Sequence, residues 1–282
     1  MVTVERLVGS AAQLRVSALL LVASWGLGCG YTQPVPGEPS SGDRSTEVRP
    51  PLESSPRFDR GSTARLDADR EACELAILAT GDVEPPEMVM RTIREDLDNI
   101  RRYWSVTMPE IRDITFRPAH EVTALILVFD FGAAERIRER SYDEWDELNR
   151  EWGARPESVR DLWDGRAEVT LVSDVCVDLT YAARDYRFLY GVTEVFPPTL
   201  EEDGPTIYMD YANVERRYLF RDAWGSCWNG CDENRYAYFK ISGLAPHFQE
   251  AYDPTTGPAP VWWDEASEIM RRNRDWDRAR GR

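Results

Sequence analysis

Apolar positions fall into helical stripes in two parts of the chain and into strand-like runs or alternations in most of the rest. Val89, Ile93, Leu97, Ile100 and Trp104 follow one another at steps of 4, 4, 3 and 4, so they share one face of a helix. Pro85 and Pro86 stand at its start, where proline is tolerated. Arg91 with Glu95, and Arg94 with Asp98, decorate its outer side at i,i+4 as solvated ion pairs. Residues 134–152 predict a second helix, with Tyr142, Trp145, Leu148 and Trp152 on one side and Gly153 and Pro156 as stops. The run 73–79, Cys-Glu-Leu-Ala-Ile-Leu-Ala, reads as a buried strand ending at Thr80-Gly81-Asp82. Residues 114–116 and 124–129 read as two more strands.

Residues 167–197 give the clearest unit. A strand over 167–172 is followed by a short helix carrying Leu179, Ala183, Tyr186 and Tyr190, with Asp178 as its cap. Gly191 breaks that helix, and residues 192–196 return as a strand. Residues 73–117 read in the same strand–helix–strand order. Two such units predict an α+β fold, a split βαβ (ferredoxin-like) sheet with helices on one face. Three aromatic-rich stretches at 206–211, 217–221 and 235–241 alternate in strand fashion and extend it with an antiparallel hairpin. A last helix is expected within 261–282, around Trp262, Trp263, Ile269 and Trp276.

The first residues read differently. Arg6 and Arg15 precede an apolar run over 16–27, too short for a comfortable bilayer span and suited to a signal-peptide core. The run ends at Gly28-Cys29, which resembles the lipobox of bacterial lipoproteins. That resemblance implies diacylation of Cys29 as the new N-terminus. With Gly30 next, it implies export to a Gram-negative-type outer membrane, facing the periplasm or the surface. Ordinary signal-peptidase cleavage nearby is the alternative, leaving Cys29 a free or paired thiol. Residues 29–62 are rich in Pro, Ser and Gly and poor in apolar side chains, the composition of a disordered tether. The expected division is signal peptide 1–28, tether 29–62, α+β domain 63–250, and linker with C-terminal helix 251–282.

Composition narrows the function. The 282 residues carry a formal charge of −16. Loss of residues 1–28 removes Glu5, Arg6 and Arg15 and leaves −17. Such a field repels phosphate backbones, so no nucleic-acid partner is expected, and the membrane is reached only through the N-terminal lipid. Cys227 and Cys231 lie four apart with Asn229-Gly230 between them, a dipeptide that accepts the positive φ of a tight turn. Cys73 with Cys176 would close a loop of about a hundred residues. A zinc site and a redox-active pair are the rival readings of these cysteines, and both lack the two-residue spacing usual for them.

No catalytic constellation stands out. The two histidines, His120 and His247, lie near no nucleophile elbow. The acidic residues Asp143, Glu144, Asp146 and Glu147 point in different directions on a helix, and Glu201-Glu202-Asp203-Gly204 has no calcium-loop signature. No cofactor, metal ligand or catalytic residue is therefore predicted. Trp224 and Trp228 are the candidate ligand contacts, because aromatic rings in loops stack on ligands and Trp228 lies inside the small cysteine loop.

Residues 224–231, Trp-Gly-Ser-Cys-Trp-Asn-Gly-Cys, with the aromatic strand at 236–239, resemble a hairpin of secreted bacterial proteins whose activity is uncharacterised. Its tip reads W-G-x-C-x-x-G-C. Residues 145–149, Trp-Asp-Glu-Leu-Asn, look like part of the same group. The resemblance implies a disulfide-closed hairpin and carries no activity over. Residues 167–197 also resemble the propeptide or inhibitor module of subtilase proteases. The expected function is thus a non-enzymatic, lipid-anchored envelope protein with a binding or scaffolding role toward a protein or glycan. A peptidase-interacting inhibitor-like module is the alternative, and a secreted hydrolase a third.

Overall fold

Residues 73–79 are helical, not a strand. They belong to α1, Thr63–Thr80, in the computed structural model. That model describes residues 63–199, 203–212, 215–227 and 230–280, with side chains from residue 67 onward. The expectation failed because residues 71–77 are buried on every side, the acids Glu71 and Glu74 included, so no exposed face marks the helical period. Alanine, leucine and glutamate are good helix formers, and Gly81, at φ 71°, closes the helix by donating its N–H to the Ile77 carbonyl. The helix predicted after Pro86 is α2, Glu87–Trp104, and it buries Met90, Ile93, Leu97 and Ile100 against α1. Residues 114–116 are irregular, so the strand–helix–strand unit expected over 73–117 does not form.

The next elements are β1 (Ala124–Phe129), α3 (Phe131–Arg138) and α4 (Asp146–Glu151). The single helix expected over 134–152 is two short ones, interrupted where Arg140 takes φ 58°. Tyr142 and Trp145, spaced as if on one helix, pack edge-on against Phe129 from the intervening loop, at 5.2 and 5.6 Å between ring centres. Then come β2 (Ala154–Asp161), β3 (Ala167–Ser173), α5 (Ala183–Tyr186) after a 3₁₀ turn, and β4 (Val192–Phe196). Asp178 caps the turn as expected, its carboxylate accepting the Thr180 N–H at 3.0 Å. Gly191, at φ 77°, is required: a Cβ there would lie 2.3 Å from that of Ala133.

The first sheet has the order β2-β3-β1-β4, with every neighbouring pair antiparallel. It follows that β1 and β2 run parallel on either side of β3, and β3 and β4 run parallel on either side of β1. Leu125, Leu127, Phe129, Val169, Leu171 and Val195 form one core with α3, α5 and the loop aromatics.

The second sheet is a four-stranded antiparallel meander in sequence order, larger than the hairpin expected. It comprises β5 (Thr206–Tyr211), β6 (Arg216–Trp224), β7 (Glu233–Ser242) and β8 (Ala245–Tyr252). Helices cover both of its faces. Ile207, Met209, Tyr218, Phe220 and Phe239 pack with α1 and α2, while Tyr208, Leu219, Tyr236 and Tyr238 pack with Trp262, Trp263 and α6, Trp263–Arg280. Asn273 of α6 completes the edge of β5, accepting the Met209 N–H at 2.7 Å and donating to its carbonyl at 2.9 Å.

Two disulfides are present. Cys73–Cys176 ties α1 to the segment after β3, with Cα atoms 5.4 Å apart, and Cys227–Cys231 closes the tip of the β6–β7 hairpin. Gly230 in that tip takes the positive φ expected of it.

Candidate functional site

On α1 the side chains of Asp67, Arg70, Glu71 and Glu74 fall at helical steps and form one polar stripe. The stripe faces Arg101 of α2, the 3₁₀ turn Pro109–Arg112 and the segment 113–121 that follows it. Together they line a cavity of about 550 Å³ that also takes in Arg112, Phe116, Arg117 and Glu121. Four arginines and four acidic residues thus meet in one cleft of a strongly acidic protein.

The cleft has a fixed part and a free part. Glu71 is 6% exposed and accepts two bonds from Arg101, at 2.7 and 2.8 Å, and one from the Phe116 N–H at 2.8 Å. Arg101 donates further to the Ile114 carbonyl at 2.8 Å. This buried pair neutralises itself and clamps residues 114–116 onto the two helices. Arg70 lies 3.5 Å from Glu157 of β2. Arg112 and Arg117 are exposed in the cleft and have no carboxylate partner among the described residues. The backbone of Arg117 is nevertheless held: its N–H donates to Thr206 Oγ1 at 3.0 Å, and that hydroxyl donates to the Arg117 carbonyl at 3.3 Å.

Glu74 is buried and accepts a bond from Thr123 Oγ1 at 3.1 Å. Burial, followed by the nearby Glu121 carboxylate, pushes its pKa up to about 8. Burial also raises Glu121, against the pull of Arg70. These two carboxyls are the most perturbed titratable groups of the cleft, and perturbed acids in a cavity are the usual mark of a functional site.

A second, smaller cavity of about 240 Å³ lies on the other side of residues 116–118, so Arg117 lines both. Its far wall holds Asp203, which Arg221 grips with two bonds at 2.5 and 2.7 Å. That grip keeps the Asp203 carboxyl below the ordinary carboxylate range.

The residues singled out from the sequence lie elsewhere. Cys73, Cys176, Cys227 and Cys231 are in disulfides, which removes them as zinc ligands. Trp224 ends β6 half-exposed and lines neither cavity. Trp228 and Cys29 lie outside the described residues. Trp262 and Trp263 are packing residues against Tyr236, Tyr238 and Tyr252. His120 is held by α6, its N–H donating to Asp277 at 3.0 Å, and His247 sits in β8 opposite Lys240. Neither histidine lines the cavities. Glu144 and Asp143 pair with Arg136. Among the described residues no group of three or more His, Cys, Asp or Glu is placed to hold a metal ion.

The cleft escaped sequence reading for a physical reason. Residues 67, 70, 71 and 74 share a face only at the helical period, and a strand would scatter them to both sides. The C-terminal glycine at 81 was the signal that could have restored the helix. No known protein family, curated protein or solved structure matches this chain.

Proposed function

We propose that this protein is an exported, non-enzymatic binding protein whose α1–α2 cleft takes a small anionic molecule. In this reading Cys29 carries the lipid that anchors it to the outer membrane, and residues 29–62 hold the domain away from the bilayer. The strand order β2-β3-β1-β4 supports taking the first sheet as a ferredoxin-like split βαβ module. The hairpin at 224–231 supports kinship with secreted proteins that share its cysteine-closed tip.

One observation carries the binding reading: Arg112 and Arg117 line a cavity of about 550 Å³ without a carboxylate partner among the described residues, in a chain of charge −16. Cavities of this size hold compact ligands, and a guanidinium presents a planar fork of donors that fits carboxylate or phosphate oxygens. The other two arginines of the cleft, Arg70 and Arg101, already face the carboxylates of Glu157 and Glu71.

Calorimetric titration of the full chain with acetate, succinate, citrate and inorganic phosphate tests this. At least one of these anions is expected to bind one-to-one. Replacing Arg112→Ala and Arg117→Ala together is expected to weaken it at least about a hundred-fold, as loss of two charge-assisted bonds worth about 1.5–3 kcal/mol each requires. No binding by any of the four, or binding that the double variant leaves unchanged, overturns the reading.

A further inference from the structure

Two carboxyls of the cleft, Glu74 and Glu121, meet at a single hydroxyl. Thr123 is buried, donates from Oγ1 to Glu74, and also bonds Glu121. Among the described residues the other charged groups facing the pair are Arg70 from α1 and Glu157 from β2, and these two already lie 3.5 Å from each other. Of the two other acids on the same helix face, Asp67 and Glu71, the second is taken up by Arg101. Among the described residues the donors to Glu74 and Glu121 are the hydroxyl and backbone N–H of Thr123 and a share of one guanidinium. Two ionised carboxylates there would repel each other, and the buried Glu74 would carry its charge away from water. A proton on one of them removes both penalties.

We infer that the cleft binds its anionic ligand only while the Glu74–Glu121 pair holds a proton, so that binding of the anion and of the proton are coupled. This rests on the anion-binding reading above. An anion on Arg112 and Arg117 shares the cavity with the pair, so a second negative charge there opposes it and a proton there admits it. The coupling is reciprocal: ligand raises the pair's hold on its proton, and the proton raises affinity for ligand.

The pH window follows from Glu74. Its folded-state pKa stands at about 8, above the ordinary 4.5. Such a carboxyl stabilises the fold fully at low pH, and that stabilisation is lost as pH rises from about 4.5 to about 8. Affinity for a ligand that needs the protonated form is flat below pH 7 and falls by about ten-fold between pH 7 and 9.

The experiment has a ligand-free arm and a ligand arm, both on the full chain. In the first, thermal midpoints of wild type and Glu74→Gln are compared from pH 5 to 8. The variant is expected to gain steadily on the wild type, since its amide donates at every pH. A constant difference overturns the proton pair, whatever the ligand. In the second, succinate, which stays doubly ionised across the range, is titrated at pH 7 and 9. Wild-type affinity is expected to fall about ten-fold, and that of Glu74→Gln to change less than two-fold. Equal slopes in both proteins overturn the coupling. No binding of succinate, or of acetate, citrate or phosphate in its place, at either pH, with the ligand-free difference present, overturns the anion reading and this inference with it while leaving the proton pair. Should Glu74→Gln not fold, Glu121→Gln serves in its place: losing that neighbouring charge moves the fall in affinity to lower pH, and an unmoved profile contradicts the pair.

Discussion

Replacing Cys73→Ala together with Cys176→Ala is expected to lower the unfolding free energy by about 4–5 kcal/mol in urea denaturation. The two cysteines are 103 residues apart, and a cross-link closing a loop of about a hundred residues restricts the unfolded chain by about 4.7 kcal/mol. Both residues are fully buried, so alanine introduces no orphan hydroxyl. Cys227 and Cys231 are only four apart, and the same reasoning gives about 2 kcal/mol for their removal. The order of the two losses is the informative result. Equal losses, or a larger one for the hairpin pair, would show that the long-range link does not restrict the chain in this way. The link also matters to the site. Cys73 lies on the same helix as Glu71 and Glu74, so it fixes the wall of the cleft to the segment that follows β3.

Arg101→Met is expected to cost about 3–5 kcal/mol, the second large effect. The substitution removes the guanidinium but leaves Glu71, 6% exposed, with one backbone donor from Phe116. A buried charge without its partner is costlier than no charge at all. The double variant Glu71→Met with Arg101→Met is therefore expected to regain most of the loss, because two apolar side chains of similar volume carry no desolvation penalty. Denaturation of the four proteins of this cycle decides the matter. A double variant as unstable as Arg101→Met alone would mean that the pair stabilises by clamping residues 114–116, with no contribution from the uncompensated carboxylate.

Much of the fold could be read from the sequence where an element is half-buried. The stripe Val89-Ile93-Leu97-Ile100-Trp104 gives α2, and alternation gives β5, β6 and β7, because in each case one face meets the core and the other meets water or a second layer. Elements at the two extremes of burial were not legible. In α1, residues 71–77 are buried all round, Glu71 and Glu74 included, and show no exposed side. The edge strand β2 is exposed along most of its length and β8 along half of it, and neither shows an apolar alternation. Tyr142 and Trp145 mimic a helical stripe from a loop because a core accepts large rings from any backbone.

The candidate site was illegible for a related reason. Its charged residues come from a misread helix, one residue of α2 and an irregular segment, and only tertiary folding gathers them. Trp262 and Trp263, expected with the last helix, pack on the second sheet.

The claim that Arg112 and Arg117 receive the ligand is tested most directly by following arginine side-chain NMR resonances. The full chain, labelled with ¹⁵N, is titrated at pH 6.5 with whichever of acetate, succinate, citrate or phosphate binds most tightly. The Nε–Hε resonances of Arg112 and Arg117 are expected to shift together and to saturate with one ligand per chain, while those of Arg216 and Arg221, clamped by Asp96 and Asp203, stay in place. Saturable shifts confined to other arginines, with Arg112 and Arg117 unmoved, would contradict the account.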